Sequence, residues 1–168
     1  MKNMSILHAP VRVLGCGSLL MGNDGIGLKV IETLQKMELR NREGIDIVDA
    51  GVCGLDLLNI FDGARTIILV DAILADSPVG SVHRIEGKDL IKKDTEPFNL
   101  VSVHDLTITD VLRIGNEIQL LPEIIVIGIE IGARVTEATL EISHEVIKGV
   151  DEAIKLIRKE IDSSFEGI

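Results

Sequence analysis

The feature that most limits the fold is a set of short branched-aliphatic runs, each ending near glycine or an acid. Val11–Gly15 (VRVLG), Ile45–Asp49 (IDIVD), Thr66–Asp71 (TIILVD) and Glu123–Ile131 (EIIVIGIEI) carry it. Such runs between turn signals read as buried strands. Between them the apolar period becomes helical. Ile26, Val30, Ile31 and Leu34 predict a helix over 25–39, and Leu55–Phe61 a short one after Gly54. A helix is expected over 105–114, ended near Gly115. A long helical region is expected over 136–161, where Ile147, Val150, Ile154, Ile157 and Ile161 share one face. Ser77–Gly80 is a turn, Ser81–Ile85 a weaker edge strand, 87–100 a loop with a helical turn, and Pro122 fits a strand entry. The expected order is strand, helix, strand, helix, strand, hairpin, helix, strand, helix. Strands separated by helices imply a largely parallel sheet with helices on both faces.

Composition agrees. Ile, Leu and Val supply 60 of 168 residues, and Phe61, Phe98 and Phe165 are the only aromatics, which suits a buried sheet under helices. The length predicts a single domain over 1–168, able to bury about 70% of its unfolded surface without disulfides or metal. With 17 basic against 27 acidic residues the formal charge is −10, which argues against a nucleic-acid partner. The apolar runs fall short of the roughly 20 residues of a membrane span. Met1–Pro10 lacks the apolar stretch of a secretory signal. Cys16 and Cys53 form no disulfide framework and no C-x-x-C pattern. The expectation is a soluble cytoplasmic protein with no membrane partner and with reduced thiols.

In such sheets ligands sit outside the carboxyl ends of the strands, so the residues after Gly15, Asp49 and Asp71 bear the chemistry. Gly15–Gly27 (GCGSLLMGNDGIG) holds five glycines in thirteen residues. It is a poor dinucleotide fingerprint, because Leu20 stands at the third glycine. It is a poor phosphate loop, because Asn23 and Asp24 replace Lys and Ser/Thr. The loop instead presents Asp24, either as a functional acid or as the cap of the following helix. Asp71 ends the expected central strand, where an isolated carboxylate is costly unless paired, hydrogen-bonded or metal-bound; a helix N-cap or an ion pair with an arginine such as Arg65 is the plain alternative. His104 precedes a predicted helix, whereas His8, His83 and His144 lie in a tail, a weak strand and the long helix. Two carboxylates and one imidazole at one sheet edge would suit a borderline divalent ion with open positions.

Four segments in order resemble the hydrogenase maturation endopeptidases: VLGCGSLLMGNDGIG (13–27), DAGVCGLDLL (49–58), IILVDAILADSPVGSV (67–82) and SVHDLTITDVL (102–112). The resemblance implies a three-layer α/β/α sandwich around a mostly parallel, mixed and twisted sheet of about five strands. It implies an aspartic-type endopeptidase that acts on the large-subunit precursor of a nickel-iron hydrogenase after nickel insertion and removes a carboxyl-terminal extension. The family's metal-binding trio falls on Asp24, Asp71 and His104. The segment linked to substrate recognition falls on Asp49, Ala50, Gly51 and Val52, and the family's usual Asn after the G-x-G is Ser18 here. Three side chains leave a six-coordinate nickel unfilled, so the nickel is expected to arrive in the substrate. Two chemistries fit the cleavage: the metal polarises the carbonyl or activates water, or Asp24 or Asp71 serves as general base. The rival functions are a non-enzymatic metal-binding assembly factor using the same residues and a nucleotide-binding α/β enzyme using the glycine loop.

Overall fold

The structure is a computed structural model that describes residues 11–52, 54–92, 99–100 and 106–166. The elements run β1 (Val11–Cys16), α1 (Ile26–Gln35), β2 (Ile45–Gly51), α2 (Leu57–Phe61), β3 (Thr66–Leu74), β4 (Val82–Glu86), α3 (Gly87–Ile91), β5 (Asn99–Leu100), α4 (Ile108–Glu117), β6 (Glu123–Glu130), α5 (His144–Ile147) and α6 (Gly149–Phe165). One sheet has the order β2-β1-β3-β6-β4, and β5 pairs with β3. β2, β1, β3 and β6 are mutually parallel, while β4 and β5 run antiparallel to their neighbours. The mixed, mostly parallel α/β sheet is thus present, with two-residue β5 added to the five expected strands.

Side-chain alternation along β3 divides the core in two. Ile68, Val70 and Ala72 pack with Ile26, Val30 and Ile31 of α1 and Ala153, Ile154 and Ile157 of α6. Ile67, Leu69 and Ile73 pack with Leu57 and Phe61 of α2, Leu90 of α3 and Val111 and Leu112 of α4. Both faces of β3 are therefore covered, which is why its run is apolar apart from Thr66 and Asp71. Among the described residues no helix is long and apolar enough to cross a membrane.

The structure corrects three expectations. The hairpin is not formed: β6 lies between β3 and β4, with Val82 opposite Ile129 and Glu86 opposite Ile125. β6, apolar from Ile124 to Ile129, takes the inner position, and β4, with exposed Arg84, takes the edge. The carboxyl-terminal helix starts at His144, not Thr136. The backbone of Thr139 is bonded elsewhere, its N–H donating to Leu20 O (2.9 Å) and its carbonyl accepting from Gly22 N (2.7 Å). Last, β3 does not end at Asp71 but runs three residues further.

Candidate functional site

The chain leaves β1 toward β2 on one side and returns to β3 on the other. The crevice between the carboxyl ends of β1 and β3 is therefore the topological switch point of the sheet. β1 pairs with β3 only as far as Gly15 opposite Val70, and β5 takes up the same edge of β3 at Ile73. Asp71 lies in the gap, one residue beyond the last β1 partner. It is 2% exposed, and its Oδ1 accepts the Ala72 N–H at 2.9 Å. Arg65, the expected alternative partner, donates instead to Ser164 O.

The glycine loop supplies the second acid from the β1 side. Gly17 has φ +125°, and a Cβ there would lie 2.1 Å from Asp24 O, so only glycine lets the loop fold back on itself. The fold-back puts the Ser18 N–H 3.0 Å from Asp24 Oδ2. Asp24 is 3% exposed and does not cap the helix. It sits inside the 3-10 turn Gly22–Gly25, and Gly25 occupies the cap position of α1 with no side-chain bond. That turn packs against β3. Two buried carboxylates thus lie at this end of the sheet, Asp71 on β3 and Asp24 on the turn that packs against it.

The segment 49–52 joins the same rim. Asp49 Oδ1 accepts from Gly51 N (2.9 Å), and Gly51 O accepts from Gly17 N (2.9 Å), which ties the segment to the glycine loop. Asp49 and Val52 are exposed, and Ala50 is half-buried. His104 and Cys53 lie outside the described residues; Cys16 is buried. The first described turn after His104 is fixed by a capping box. Thr107 Oγ1 accepts from Asp110 N (3.1 Å), and Asp110 Oδ2 accepts from Thr107 N (2.9 Å) and Thr107 Oγ1 (2.7 Å).

Those Thr107 bonds hold the Asp110 carboxyl below its ordinary range. A depressed folded value contributes stability above the unfolded carboxyl range, and that contribution is lost as pH falls through the folded value. Asp110→Ala should therefore destabilise the protein by about 1 kcal/mol at neutral pH. The difference from wild type should shrink on acidification, as chemical denaturation at both pH values will read. A pH-independent difference would mean the bonds are not charge-assisted.

One buried acid escaped the sequence reading. Glu130, 1% exposed, accepts from Ala75 N (2.5 Å) and Gly132 N (2.8 Å) and receives the Ser77 hydroxyl at 3.3 Å. Ser77 Oγ also lies 2.8 Å from His83 Nε2, so His83 belongs to this cluster at the β4 side. The signal was present, since Glu130 follows an apolar run as Asp71 does.

The profile of the hydrogenase maturation protease family, HycI, matches residues 28–160. The chain belongs to this family. A Methanocaldococcus jannaschii protein that carries a hydrogenase maturation protease name is 32% identical over 165 residues, covering 96% of this chain and 99% of that one. Among solved structures, the protease resembles the [NiFe] hydrogenase maturation protease HybD of Thermococcus kodakarensis. The TM-score is 0.68 at 27% identity, over 89% of this chain and 97% of that one. The fold also matches the hydrogenase maturating endopeptidase HybD of Escherichia coli, with TM-score 0.74 at 22% identity over 92% and 93% of the two chains. The nucleotide reading of the glycine loop gains nothing from this family. In the protease the loop is built around Asp24.

Proposed function

We propose that this protease removes a carboxyl-terminal extension from the large-subunit precursor of a nickel-iron hydrogenase after nickel has been inserted. Asp24, Asp71 and His104 contact the nickel carried by the substrate. The observation that carries this reading is the pair of buried carboxylates at the β1–β3 switch point, one on β3 and one on the 3-10 turn of the glycine loop. Two buried acids at one crevice give a cation a negative, water-poor seat during the working cycle. Carboxylate and imidazole donors suit a borderline divalent ion, and a trio leaves coordination positions for the precursor's own ligands. Nickel then acts as a checkpoint: an unloaded precursor offers the trio nothing to bind and is not cut. Asp49–Val52, on the same rim, contacts the precursor polypeptide and contributes to substrate choice.

The test is intact-mass analysis of a large-subunit precursor incubated with the protease, with and without nickel loading. Loss of one carboxyl-terminal peptide from the loaded form alone is the expected result. Cleavage of both forms removes the checkpoint. A loaded precursor that its own known processing enzyme cuts, but this protein leaves intact, assigns the chain to a different substrate or to assembly without cleavage. His104 must be neutral to bind metal, so docking on the nickel-loaded precursor should weaken below about pH 6.5. Equal binding at about pH 5 and about pH 7.5 would take His104 out of the site.

A further inference from the structure

We propose that Asn23 is a positioning residue for Asp24, and that it acts through the backbone of Ser143, 120 residues further along the chain. The inference rests on the reading that Asp24 belongs to the working site. The glycine loop is not held by its own hydrogen bonds alone. It folds back at Gly17, but its outer side, Leu20–Asn23, packs against the segment that follows β6. Three hydrogen bonds join them: Thr139 N to Leu20 O (2.9 Å), Gly22 N to Thr139 O (2.7 Å) and Ser143 N to Asn23 Oδ1 (2.7 Å). Met21 and Thr139 form a parallel bridge between the two.

The third bond is the one that reaches the acid. Asn23 is the residue before Asp24, so its side chain and the Asp24 carboxylate brace the same turn from opposite directions. Asn23 Oδ1 is held from outside by Ser143 N, and Asp24 Oδ2 from inside by Ser18 N at 3.0 Å. Ser143 is itself anchored, because it opens α5, whose Val146 is fully buried in the core. The loop that carries Asp24 is thereby referenced to the carboxyl-terminal helical layer rather than only to β1. This gives the long post-β6 segment, read as helix from sequence, a role in aligning the site.

The bond has one side-chain end and one backbone end, which can be removed separately. Asn23→Ala removes the acceptor. Ser143→Pro removes the donor at a residue whose φ of −62° proline adopts without strain. Asn23→Asp keeps an acceptor oxygen. The readout is amide hydrogen exchange of Ser18 in the full chain, with Ile68 and Val126 as core references. Loss of the brace should speed Ser18 exchange by about tenfold in both Asn23→Ala and Ser143→Pro. The double variant should be no faster than the faster single one. Asn23→Asp should retain protection, and the core amides should exchange as in wild type.

Unchanged Ser18 protection in Asn23→Ala overturns the proposal, as does its loss together with that of Ile68 and Val126, which would mark a merely structural role. Additive effects in the double variant overturn it as well. Processing of a nickel-loaded precursor is measured in parallel, with Asp24→Ala as reference. Wild-type cleavage by Asp24→Ala would sink the functional reading while leaving the exchange result to judge the brace.

Discussion

Asp71→Asn is expected to stop precursor processing while the fold stays intact. Asparagine has the size of aspartate and keeps an oxygen for the Ala72 N–H, so the local geometry survives. What is lost is the negative charge at a position 2% exposed. The change is isosteric and keeps the bond from the Ala72 N–H, so the melting temperature should stay within about 5 °C of wild type. The rate should fall by roughly 10²–10⁴-fold, the scale of losing a group that acts on the reacting atoms. Asp24→Asn should behave alike, since its oxygen can still accept from Ser18 N. Intact-mass rates beside thermal melts separate the outcomes. A variant that cuts at the wild-type rate would show that the carboxylate is structural.

A large loss of stability is expected from Gly27→Ala. This glycine lies in the first turn of α1, where the helix meets the carboxyl ends of β1 and β3. A Cβ there would stand 2.4 Å from Val70 O and 2.6 Å from Cys16 O, both backbone atoms of central strands that cannot swing aside. Helix propensity alone would favour alanine by about 1 kcal/mol. The overlap should overrule it, because overpacking a closed core costs about 3 kcal/mol or more when backbone must shift. For a chain of this length that lowers the melting temperature by roughly 10 °C. A neutral or stabilising result would mean that α1 can slide outward from the sheet. Any such slide carries the adjoining turn with it, so Gly27→Ala should also slow processing through displacement of Asp24.

The same glycine shows how far sequence reading extends. The five-glycine loop after the first strand announced that backbone must approach something closely, and the residues at the fixed positions fitted both nucleotide patterns poorly. It could not say that the close neighbours of Gly27 would be the carbonyls of Val70 and Cys16, because Val70 is brought there only by β1–β3 pairing. Asp24 is similar. Its place before a helix favoured the cap over the site, and the bond to Ser18 N decided against the cap.

The sequence by itself determined the strand-forming runs, the helices with a long apolar period and the acids at strand ends, because these are local signals of period and burial. It determined the family too, through segments whose order survives divergence. Only the tertiary structure decided strand order. β6 displaced β4 from β3 because a strand apolar on both faces is best satisfied in the interior, a comparison between segments some forty residues apart. The tertiary structure likewise decided that 136–143 is not helical. Its backbone groups found partners in a loop more than a hundred residues earlier, and a hydrogen bond made across the fold leaves no trace in the local period.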